Sequence, residues 1–221
     1  MFQCDDAKGG EDKIMKKFFT ILPLQEPIPM VYRESGNEQL HLDKAIPFPI
    51  FNAMYGYVEA GEEIRVIAVA TDVPAAKKNI EVFNHYLKEM CREKNVTCTV
   101  GLEVITIPHD ESVATHVTTF QRLLDYVEDQ DELFACMTYG TKPTSSALMT
   151  AMQYAYNLKN NATIECIVYG QVDRSAGKDS SSWVGTVYDM TALIRLDEII
   201  HTLARLNVKD PKSMIDSILS V

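Results

Sequence analysis

Leu133-Phe134-Ala135-Cys136-Met137-Thr138-Tyr139-Gly140-Thr141-Lys142-Pro143-Thr144-Ser145-Ser146-Ala147-Leu148-Met149-Thr150 runs from a short apolar segment, through a polar hinge, into an amphipathic stretch. Leu133 to Met137 is too short for a helix and follows the acidic loop Glu128 to Glu132, so it reads as a buried strand. Pro143 suits the first turn of a helix, where its missing N–H removes no bond. Ala147, Leu148, Ala151, Met152 and Ala155 then recur at helical spacing and give that helix an apolar face. The hinge Thr138 to Lys142 therefore joins the carboxyl end of a strand to the amino end of a helix. Free backbone N–H groups and the positive end of the helix dipole meet there, which suits a phosphate. Gly140 admits a close ligand, Thr138 and Thr141 offer hydroxyls, and Lys142 adds a cation. Other readings are open: a tight turn with an ordinary cap, Tyr139 as a wedge in the core, and Lys142 as a solvated first-turn lysine. The spacing G-x-x-x-x-G-K followed by Ser or Thr is absent, so this is no Walker P-loop.

Outward from the hinge, strands and helices alternate. Phe18 to Leu22 is the first strand, closed by Pro23. Leu24 to Leu42 reads as a loop that either arches over a ligand or passes along the surface. A short helix covers roughly Ile50 to Glu59, and Ile64 to Ala70 is a β-branched strand. Asp72 suits the cap of a long helix with the stripe Ile80, Phe83, Leu87 and Met90. Leu102 to Ile107 is a further strand. Ser112 caps a helix with the stripe Val113, His116, Val117, Phe120, Leu123, Leu124 and Val127, on which His116 reads as a core or boundary residue. His109 reads as surface. Beyond the hinge come a strand over Ile164 to Val172, a polar loop from Asp173 to Ser182 and an antiparallel return over Trp183 to Tyr188. Thr191 to Leu206 is then an amphipathic helix, and Met214 to Leu219 a short last one after Pro211. The pattern predicts an α/β fold with a mostly parallel central sheet and helices on both faces. Ligands of such sheets bind beyond the strands' carboxyl ends, where strand order switches, so Pro23, Leu24, Gln25, Thr71, Asp72 and the hinge belong to one rim.

The chain has 221 residues, enough for one substantial core, and a formal net charge of −10. That charge argues against broad DNA or RNA binding but leaves a small nucleotide possible in a local positive pocket. The five cysteines form no C-x-x-C pair, so zinc and redox motifs are unsupported and a reducing cytoplasm is expected. No G-x-G-x-x-G follows the first strand, so no dinucleotide cofactor is expected, nor a metal. Residues 1–14 read as a flexible tail or linker, 15–208 as the domain, and 209–221 as a terminal helix or linker.

Three pieces in order carry a resemblance. A strand enters Thr138-Tyr139-Gly140-Thr141-Lys142-Pro143, a second ends in Val168-Tyr169-Gly170, and after a polar loop Val187-Tyr188-Asp189-Met190-Thr191 leads into a helix. Together, over about Lys16 to Leu206, they resemble the CARF domains, the CRISPR-associated Rossmann-fold sensors of type III systems. Cys136 departs from the pattern, because many relatives carry aspartate two residues before the hinge threonine. The resemblance implies a Rossmann-like homodimer binding a cyclic oligoadenylate, most often the four-adenosine ring, across its two-fold axis. Gly140, Thr141 and Lys142 would meet phosphate from each protomer. Thr71 and Asp72 would bond adenine or ribose edges, and Tyr169 would either do so or pack. Ala147, Met149 and Met152 would suit close helix contacts between protomers, or pack on their own sheet.

The first functional expectation is therefore a sensor that switches an attached effector in antiviral defence, without chemistry of its own. No zinc cluster, catalytic carboxylate pair or R-x-x-x-x-H nuclease signature is present. The polar start and the abrupt end lead us to expect an effector fused at one terminus, either a nuclease or a transmembrane segment that would tether this domain to the inner membrane. The second expectation is a metal-independent ring nuclease using Thr141 and Lys142 to align a ribose hydroxyl with its phosphate. A third is an unrelated α/β nucleotide-binding or regulatory protein.

Overall fold

The computed structural model describes residues 14–175 and 183–219. Its chain is an α/β structure with a seven-stranded sheet. The strands are β1 (Lys16–Ile21), β2 (Tyr32–Ser35), β3 (Ile64–Thr71), β4 (Leu102–Ile107), β5 (Glu132–Cys136), β6 (Thr163–Asp173) and β7 (Val184–Asp189). The helices are α1 (Ile50–Tyr57), α2 (Ala76–Lys94), α3 (Val113–Leu124), α4 (Lys142–Leu158), α5 (Thr191–Arg205) and α6 (Pro211–Leu219). Sheet order is β2-β7-β6-β5-β1-β3-β4. β6, β5, β1, β3 and β4 are parallel, and β7 returns antiparallel beside β6. The expected mostly parallel, Rossmann-like architecture is thus observed.

Period-two alternation along β1 splits the apolar residues between two cores. Phe18 faces a core under α1 and α2, where it stacks on Phe134 with ring centroids 4.5 Å apart and joins Phe51, Phe83, Leu87 and Met90. Phe19 and Ile21 face the other core, under α3, α4 and α5, with Leu123, Leu148, Ala151, Met152 and Ile194. A strand buried on both faces must be apolar on both, which is why the central strands read as continuous hydrophobic runs.

Several elements differ from the sequence reading. The segment Leu24 to Leu42 holds edge strand β2 and a 3-10 helix, Glu38–Leu40. β2 has only four residues and pairs only with β7 in its sheet, so its pattern is too brief to stand out. Asp72 does not cap α2, which starts at Ala76. Pro74 disfavours helical backbone at Val73, and the chain turns once more before the helix begins. Ser112 does cap α3, accepting the N–H of Thr115 at 3.3 Å. However, Val113 and Val117 are 79% and 49% exposed, so the apolar stripe of α3 extends past the face its own sheet covers. Met152 is fully buried against its own sheet, which removes it from any contact between protomers. The expected tail, residues 1–14, lies almost wholly outside the described residues, as does most of the Asp173 to Ser182 loop. Among the described residues, no helix is long and apolar enough to cross a membrane.

Candidate functional site

β1 is the point where strand order reverses. From it the chain builds outward to β3 and β4 on one side, then crosses to β5 and β6 on the other. The segments leaving the carboxyl ends of β1 and β5 therefore separate and open a crevice, the usual ligand position in such sheets. A cleft of ≈ 450 Å³ lies there, within the size range of small-molecule sites. Its lining includes Pro23, Leu24 and Gln25 after β1 and Thr138, Tyr139 and Gly140 after β5. The loop after β1 is pinned from behind. Buried Asn79 of α2 donates to the carbonyls of Pro23 at 2.7 Å and Gln25 at 3.1 Å.

Each hinge residue has a distinct local role. Gly140 takes a positive φ of 86°, and a Cβ there would lie 2.5 Å from Cγ2 of Ile21. Glycine is thus required both by the backbone and by the closeness of β1. Thr138 accepts the N–H of Gly170 at 2.8 Å and lies 3.2 Å from the Cys136 sulfur, which ties the hinge to β6. Burial pushes the Cys136 thiol up, so no anion stands at this position. The Tyr139 hydroxyl donates to the carbonyl of Pro47 at 2.8 Å, and its ring meets Phe48 edge-on. Burial also raises its pKa, so it is a neutral wedge forming part of the cleft floor.

α4 begins without a side-chain cap, although Thr141 occupies the cap position. The Thr141 hydroxyl instead donates to Glu111 at 2.9 Å and lies 2.9 Å from that of Thr144. Lys142 follows as an exposed residue in the first turn. Thr141 and Lys142 lie past Gly140 on the same rim but do not line the cleft. Pro143 lines a separate, mostly apolar groove of ≈ 390 Å³ between α3 and α4, with Val113, Val117, Phe120 and Ala147.

Three expected residues lie elsewhere. Thr71 and Asp72 end β3, on the far side of β1 from β5; Thr71 is buried, and the Asp72 N–H donates to the carbonyl of Ile107 at 2.8 Å. Tyr169 sits opposite Tyr188 on β6, exposed and pointing to the face away from Gly170. Asp189 of the Tyr188-Asp189-Met190-Thr191 segment accepts Asn37 at 2.7 Å and the N–H of Thr191 at 2.9 Å. Thr191 in turn accepts the N–H of Ile167 at 2.9 Å, so this segment anchors the start of α5.

The sequence reading missed the far wall of the cleft. Met30, Tyr32, Val172, Arg174 and Trp183 line it. Gly170 and Gly185 explain how: a Cβ on Gly170 would lie 3.2 Å from the Tyr32 ring, and one on Gly185 2.9 Å from it and 3.0 Å from the Met30 sulfur. The two glycines let Pro49, Tyr32 and Met30 pack closely against the β6–β7 hairpin. Arg174 and Trp183 follow on the same face, two residues beyond Val172 and Gly185. Gly170 and Gly185, diagonal to one another on one face of a predicted hairpin, were the available signal, but their meaning depends on β2 lying beside them.

No known protein-family model matches this sequence, and no curated protein matches it.

Proposed function

We propose that this chain is a CARF-like sensor domain that binds a cyclic oligoadenylate, cyclic tetra-adenylate first among them, with two copies meeting around one ring. The observation that carries this reading is the switch-point cleft, closed by the loop after β1 on one side and the hinge on the other. The uncapped amino end of α4 and exposed Lys142 share its rim, as a polyanionic ring requires. The groove between α3 and α4 supports pairing. Val113 and Val117 leave apolar area uncovered beside the same helix end, and a second copy seated there would bring two hinges together. Binding would shift the paired domains towards the arrangement that holds the ring best, and so bias an attached effector.

The test is incubation of the purified chain with labelled cyclic tetra-adenylate, followed by chromatography of bound and free fractions. Retention of an intact ring at one ring per two chains is the expected result. Linear products ending in a cyclic phosphate would make the chain a ring nuclease instead. Absence of binding at micromolar protein would overturn the reading.

A further inference from the structure

The β6–β7 hairpin ends its described ladder with Asp173 opposite Val184, and Arg174 and Trp183 stand one step further out. The Arg174 guanidinium lies over the Trp183 indole, 4.6 Å from the ring centroid. Both line the cleft, Arg174 exposed and Trp183 half-buried. Glu26, the acidic residue of the cleft lining, is engaged by Lys78 at 2.6 Å, and Arg174 is the cationic residue of that lining among the described residues. The same cleft is lined by Tyr32, buried, and Tyr139, half-buried, both neutral. An indole and a guanidinium in face contact form a flat platform with an apolar body and a positive charge. Planar nucleobases add to such platforms by stacking, without needing a matched set of hydrogen bonds.

We propose that Trp183 and Arg174 take a purine base, which adds as a further layer to the indole–guanidinium stack while the hinge meets phosphate. This rests on the reading of the cleft as a cyclic oligoadenylate site and assigns the base end of that site. One base stack is worth roughly 5- to 150-fold in affinity. Trp183 is the chain's single tryptophan, so intrinsic fluorescence reports on this wall without labelling.

The experiment uses the full chain, cyclic tetra-adenylate and two readouts, equilibrium dialysis of labelled ring and tryptophan emission. The expected result is quenching that saturates with the dialysis isotherm. Trp183→Leu should then bind at least about tenfold more weakly, Trp183→Phe should stay within about threefold of wild type, and Arg174→Gln should fall between them. Circular dichroism checks that each variant folds; were Trp183→Leu to unfold, wild-type emission and Trp183→Phe decide. A ring that binds by dialysis without changing emission, and equally well to Trp183→Leu, overturns the base platform but leaves the proposed function standing. No binding by dialysis overturns both.

Discussion

At the amino ends of β1 and β5, Lys17 is fully buried and fully partnered. Its ammonium donates to the Tyr126 carbonyl at 3.0 Å and pairs with Asp131 at 2.8 Å and Glu128 at 2.5 Å. That ammonium holds the Glu128 carboxyl below its ordinary value. Nearby, Arg65 grips Glu103 through two bonds of 2.8 and 3.0 Å. At the carboxyl ends of the same sheet, Lys142 is exposed without an ion pair among the described residues, and Arg174 rests on the Trp183 ring in the lining of the cleft. A cation whose bonds are all satisfied within the chain holds the fold together and has nothing to offer a ligand. A cation left with solvent as its partner can exchange water for phosphate or a base at little loss.

Substitutions at the two ends should therefore separate binding from stability, and Lys142→Ala is the sharpest case. Two protomers each lose a charge-assisted bond of about 1.5–3 kcal/mol, so ring affinity should fall by roughly two orders of magnitude or more. Thermal midpoint should barely move, and added salt should weaken wild type more than the variant. Unchanged affinity in dialysis would remove the hinge from the phosphate site. Lys17→Ala should do the reverse. It strands Asp131, 2% exposed, without its counter-ion, a loss of about 3–5 kcal/mol in urea unfolding. Ring affinity of whatever remains folded should be unchanged; a large affinity loss would break the division between the ends.

Gly140→Ala should blur it. A methyl group 2.5 Å from Ile21 Cγ2, on backbone of positive φ, should lower stability by about 1–3 kcal/mol and displace the hinge as well. A variant as stable as wild type would mean that Ile21 yields freely. The smallest effect concerns His41 after β2, where exposed partners replace buried ones. Its bond to Glu34, and then to Asp43, raises its pKa above the ordinary 6.5. The stabilisation is complete below the unfolded value and is lost as pH rises through the higher folded one. A proton NMR titration should place the His41 midpoint above 6.5, and Glu34→Gln should bring it down. A midpoint at or below 6.5 in wild type would show that the pair does not persist in water.

What sequence patterning determined is the frame. Short β-branched and apolar runs alternating with amphipathic stretches specify the central strands, and the return of β7 was legible in Trp183 to Tyr188 because period-two alternation is a local property. The hinge was legible for the same reason: a strand, a glycine and a first-turn proline declare themselves within ten residues of one another. Tertiary structure decided which groups remain available. Thr138 and Thr141 have hydroxyls on paper, but Gly170 and Glu111, distant in sequence, engage them. The aromatic wall was hidden because β2 is four residues long and its place beside β7 joins segments more than 140 residues apart. Whether a polar side chain is structural or free to bind depends on what the fold brings within 3 Å of it, and local sequence does not encode those neighbours.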